Sequence, residues 1–115
     1  MLGRKEIQTR QGAMNLRGGA GETGRIALFG EAALPWNLKL AAILELEPGV
    51  SIGRHDHTGE WELFYLLEGE LHGFDMGEEI VLRPGDSTLT GGGQEHLLEN
   101  RGSTVARVLA VIAKD

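Results

Sequence analysis

The chain contains no cysteine. That absence removes disulfide bridges, thiolate zinc sites and a thiol nucleophile together. Proline is scarce, at three residues, and aromatics make up only 5%. A core must therefore be built from Leu, Ile, Val and Ala. Positive charge is short too: 11 Lys and Arg stand against 17 Asp and Glu, for a net charge of −6. Proteins that grip phosphates gather basic patches, so this balance points away from nucleic acid as a partner. No apolar run is long enough to span a membrane, and the opening MLGRKEIQTRQG lacks the apolar stretch of a signal peptide. The expected setting is a soluble, cytoplasmic domain.

Glycine is plentiful, with 18 residues set between apolar runs. This is the pattern of short strands joined by many turns. Residues 1–24 read as a polar N-terminal arm with one short strand and a flexible loop at RGGAGETG, ahead of a single domain over 25–115. Those glycines are not a phosphate-binding loop, because no Lys-Ser/Thr pair and no helical pattern follow them. RIALFG is a short strand candidate. From Leu38 the alternation sharpens: Leu38, Leu40, Ala42, Leu44 and Leu46 share one strand face before the Pro48-Gly49 break. VSIGRHDH, WELFYLLEG, ELHGFDM, EEIVLRPGD, STLT, QEHLLEN and TVARVLAVIA supply further strands. Alanine and leucine make helix competitive in the last, but its β-branched residues favour strand. An all-β sandwich or barrel follows.

The chemistry is concentrated in GRHDHTGEWE. Residues i and i+2 of a strand point to one face, about 6.5–7 Å apart. His55 and His57 therefore project together, with Asp56 turned away. Thr58-Gly59 allows the chain to return, bringing a carboxylate of the next strand into the same space. Imidazole and carboxylate together suit a divalent transition metal. Strand parity does not choose between Glu60 and Glu62.

The wider spacing resembles the two motifs of the cupin family. Gly49, His55, His57, Glu62 and Gly69 match the first, and Gly85, Gly93, His96 and Asn100 match the second, with fifteen residues between the motifs. Gly91 stands where the family usually has proline, which predicts a less rigid approach to His96. The resemblance implies a double-stranded β-helix, or jelly-roll, cupin barrel. It implies one divalent ion (Fe, Mn, Ni or Zn) held by His55, His57, Glu62 and His96, leaving Glu60 as a solvated or supporting carboxylate. His72 reads as an exposed strand residue, and Asn100 as a turn residue bonded to backbone. Phe64 and Leu66 share the parity of Glu62 and should line the interior below the metal.

Such a site implies a metal-dependent enzyme of oxygenase or isomerase type acting on a small polar organic molecule. A non-catalytic small-molecule or metal-binding module is the alternative. The outward Leu63, Tyr65 and Leu67 predict a homodimer, with RIALFG adding a strand across the partner's sheet.

Overall fold

The alternation over 38–46 becomes a nine-residue strand, β3 (Leu38–Leu46), with Ala42, Leu44 and Leu46 buried. The computed structural model describes residues 1–115 and contains nine further strands. These are β1 (Arg10–Met14), β2 (Glu22–Ala27), β4 (Ser51–Asp56), β5 (Glu60–Glu68), β6 (Leu71–Asp75), β7 (Glu78–Leu82), β8 (Ser87–Gly91), β9 (Glu95–Glu99) and β10 (Ala106–Lys114). TVARVLAVIA is thus strand: Ala106, Val108, Ala110 and Ile112 face inward, and their neighbours are half-buried on the other face.

All ladders are antiparallel and fall into two sheets. The larger has the order β1-β2-β3-β10-β5-β8, and the smaller β4-β9-β6-β7. One core lies between them, combining Leu44, Phe64 and Val108 of the larger sheet with Ile52, Leu71 and Leu98 of the smaller. No helix is long and apolar enough to cross a membrane.

The expected closed jelly-roll β-barrel does not form. The larger sheet ends at β1 and β8, the smaller at β4 and β7, and no ladder joins one to the other. A closed barrel needs a hydrogen-bond ladder that runs unbroken around its wall. Here the chain crosses between sheets at turns containing Gly49, Gly69, Gly85, Gly92 and Gly93, all at positive φ, and each crossing interrupts the ladder. The result is two open sheets sharing a core.

The N-terminal segment is integrated into this frame. β2 is paired on one side with β1 and on the other with β3, so the part of RIALFG that is strand, Arg25–Ala27, has no free edge to lend to a partner. The glycine-rich loop before it lies against β4: Ser51 N–H donates to Ala20 O at 2.9 Å, and Ala20 N–H donates to Ser51 Oγ at 2.9 Å. This approach needs glycine at 53, where a side chain would strike the carbonyl of Arg17. Asn100 closes the turn before β10. Its amide donates to Leu46 O and Thr104 O at 2.8 and 2.9 Å, and its Oδ1 accepts from Gly102 N–H at 2.9 Å.

Candidate metal centre

β4 and β9 pair with His55 opposite His96, so the first and second motifs meet across one ladder. β5 brings Glu62 from the facing sheet. The ligand atoms of His55, His57, Glu62 and His96 lie within 4.8 Å of one another. His96 Nε2 is 2.9 Å from His55 Nε2 and 3.0 Å from His57 Nε2. Glu62 Oε1 is 2.9 Å from His57 Nε2, 3.1 Å from His96 Nε2 and 3.8 Å from His55 Nε2. His57, Glu62 and His96 are buried, and His55 is nearly so.

The outer nitrogen of each imidazole has a partner of its own. His55 Nδ1–H donates to Gly53 O at 2.7 Å. His57 Nδ1–H donates to Glu60 Oε2 at 2.6 Å, and His96 Nδ1–H donates to Thr90 Oγ1 at 3.1 Å. The Thr90 hydroxyl in turn donates to Asp75 Oδ1 at 3.1 Å. With the proton on Nδ1 in all three rings, three Nε2 lone pairs and one carboxylate oxygen face each other without a donor among them. Converging acceptors in a buried space call for a cation. The N3O donor set fits a divalent transition ion of the Mn, Fe, Ni or Zn kind.

Without an ion the balance is different: burial alone would raise the Glu62 carboxyl, but hydrogen bonds from imidazoles that then carry an Nε2 proton, and the charge they bear, hold it down at about 2. Burial pushes His96 down, against the opposing pull of Glu62, and so favours the neutral ring that coordinates. Burial would likewise raise Glu60, and hydrogen bonds from Lys39 and His57 hold it below the usual range.

Glu60 is therefore behind the cluster rather than in it, bridging His57 and Lys39. His72 stands apart, half-buried beside Glu70 at 3.6 Å. Phe64 is buried with its ring stacked on His96 at 4.9 Å between centroids, and Leu66 is buried beyond it.

A cavity of about 90 Å³ opens over His55, His57 and Glu62. About half of its wall is apolar, from Leu16, Leu40, Leu44, Ile52, Phe64 and Ile112, but Arg17 and Arg25 also line it. Neither forms a salt bridge, whereas Arg10, Arg54, Arg83, Arg101 and Arg107 all do. Arg17 is held in the left-handed region at φ 54. Sequence reasoning missed both arginines. Arg25 lies on the same face of β2 as Thr23, a face set by the pairing of β2 with β3 rather than by any local pattern. Arg17 carried no signal, since its place depends on the loop crossing β4.

With this fold and this cluster in place, comparison with known proteins defines the class. Residues 42–112 match the family model described as Cupin domain, and the chain belongs to the cupin family. It is 38% identical over 112 residues to the oxalate-binding protein of Thermotoga maritima, covering 97% of this chain and 93% of that protein. A crystal structure described as a predicted oxalate decarboxylase, also from Thermotoga maritima, superposes with a TM-score of 0.93 at 36% identity and covers 100% of both chains. The tetracenomycin polyketide synthase protein TcmJ of Streptomyces glaucescens is 39% identical over 70 residues, which is 61% of this chain and 47% of that protein.

Proposed function

We propose that the chain is a metal-dependent cupin enzyme that takes a small organic acid as its substrate, with His55, His57, Glu62 and His96 as the ligands of one divalent transition ion. The observation that carries the reading is the convergence of four acceptor atoms, three of them on buried side chains and the fourth on nearly buried His55, each imidazole already anchored through its other nitrogen. Bound there, the ion supplies Lewis-acid polarisation of a coordinated carboxylate or carbonyl oxygen. Arg17 and Arg25 supply the counter-charge for an acid in the cavity, and an arginine fork suits a carboxylate geometrically. The aliphatic wall of Leu40, Leu44 and Ile52 excludes water and strengthens these attractions. The cavity volume suits a molecule of only a few heavy atoms, and the oxalate named for the relative at 38% identity is of that size.

A second reading, a binding module without turnover, is favoured by one observation. Apart from His55, His57 and Glu62, the cavity wall offers two arginines and aliphatic or aromatic side chains, none a proton donor of ordinary catalytic range.

The test is calorimetry of metal-loaded protein with oxalate, malonate and the neutral diamide of oxalate, followed by assays of carbon dioxide release and oxygen uptake. Tight binding of the dianions but not the diamide supports the acid reading; equal binding sinks it. Oxygen uptake would mark an oxygenase, and conversion without oxygen an isomerase or lyase. Binding without any conversion with Fe, Mn, Ni or Zn replaces the enzyme by the binding module.

A further inference from the structure

We infer that Glu60, held in place by Lys39, is the positioning residue that fixes the tautomer and raises the donor strength of His57. The inference rests on the metal reading above. The three imidazoles of the cluster are backed by unlike partners. His55 leans on a backbone carbonyl and His96 on a neutral hydroxyl, while His57 alone leans on a carboxylate. That contact is also the shortest of the three, at 2.6 Å. An N–H shared with an anion makes a stronger bond than one shared with a neutral acceptor, and it leaves the far nitrogen more basic.

The carboxylate is itself fixed. Glu60 Oε1 accepts from Lys39 Nζ at 2.8 Å while Oε2 accepts from His57, so neither oxygen is free to turn away. Glu60 and Glu62 stand two residues apart on β5 and so on one face of the strand. One carboxylate then faces the ion and the other faces the back of an imidazole. The pair of glutamates in GEWE thus divides into a ligand and the support of a ligand.

The experiment compares wild type with Glu60→Ala, Glu60→Gln and Lys39→Met. Affinity for Co(II) and Mn(II) is measured by competition, the visible spectrum of the Co(II) form is recorded, and ¹⁵N shifts of the imidazoles are measured in metal-free protein. Glu60→Ala should weaken metal binding by ~10–100-fold with the circular dichroism of the fold retained. Glu60→Gln, which keeps the size and an acceptor but drops the charge, should recover part of that loss and shift the Co(II) spectrum. Lys39→Met should cost only several-fold. The metal-free wild type should carry the His57 proton on Nδ1, and Glu60→Ala should redistribute it to Nε2. Affinity and spectrum unchanged in Glu60→Ala would overturn the inference while leaving the metal reading intact. A wild type that takes up no metal would overturn the metal reading, and the tautomer would then decide on its own: a His57 proton on Nε2 in that protein rejects the positioning role.

Discussion

The indole of Trp61 lies directly against the α-carbon of Gly91, its cross-strand partner on β8. A side chain at position 91 would enter the ring. Glycine at 91 leaves room for the ring, and the turn lacks the fixed φ that a proline there would give. The loss of a fixed φ is offset further along the turn, where Gly93 N–H donates to His57 O at 2.7 Å and His57 N–H to Gln94 O at 3.2 Å. The approach to His96 is tied to the backbone of His57, just beyond the end of the strand that bears His55. Gly91→Ala should therefore cost ~1–3 kcal/mol through overpacking. Trp61→Ala in the same chain should recover most of that cost. Urea denaturation of the four proteins in the cycle measures the coupling, and additive effects would contradict the contact.

One metal ion per chain is expected, bound through the four-residue cluster. Elemental analysis should find it in wild type and lose it in the double variant His55→Ala, His57→Ala. The variant should remain folded, since the Leu, Val and Ala burial between the sheets does not depend on these side chains. Equal metal content in both proteins would remove the ligand assignment.

Acid should destabilise the metal-free protein in two stages. His96 is depressed in the folded state, so below its ordinary 6.5 the unfolded chain binds the proton more readily and stability falls. Glu62 is held at about 2 against an ordinary 4.5, so its contribution is complete above 4.5 and is lost as pH falls from there towards 2. Glu62→Gln should abolish the second stage and leave loss near neutrality. Urea midpoints measured from pH 8 to pH 3 check both limbs. Metal affinity should fall over the first interval as well, because protons compete for imidazole.

Asn100 is a single point on which two connections depend. Replacing it with Ala strands the carbonyls of Leu46 and Thr104 and the N–H of Gly102. The expected cost is about 3 kcal/mol, seen as a lower melting temperature. Asn100→Asp should do no better, since it keeps one acceptor but loses both donors and buries a charge. A neutral outcome in either variant would contradict this.

The outer face of the larger sheet is where we propose self-association into a homodimer. Cross-strand rows run Ala41, Val111, Leu63, Leu89 and Ile26, Ile43, Leu109, Tyr65. Trp61, Tyr65, Leu67 and Leu89 are exposed on it. A second copy of this same surface is the simplest cover for so apolar a face. Light scattering should give twice the chain mass at micromolar concentration, and Tyr65→Glu with Leu89→Glu should return it to the monomer. A monomeric wild type would reject the interface.

Much of this protein was legible in the chain itself. Period-two alternation over Leu38–Leu46 and Ala106–Lys114 is a local property, because strand geometry puts every second side chain on one face. The same rule paired His55 with His57, and motif spacing added Glu62 and His96. Parity could not separate Glu60 from Glu62, since both lie on one face of β5; only the placement of Lys39 and His57 gave each carboxylate its partner. Nor did local pattern reveal that the sheets stay open, because closure depends on whether ladders survive the turns between strands. Arg17 and Arg25 reached the cavity by the packing of a loop on β4 and the pairing of β2, contacts made far from their own positions in the chain. Periodicity determines which face a residue takes, and long-range packing determines what that face meets.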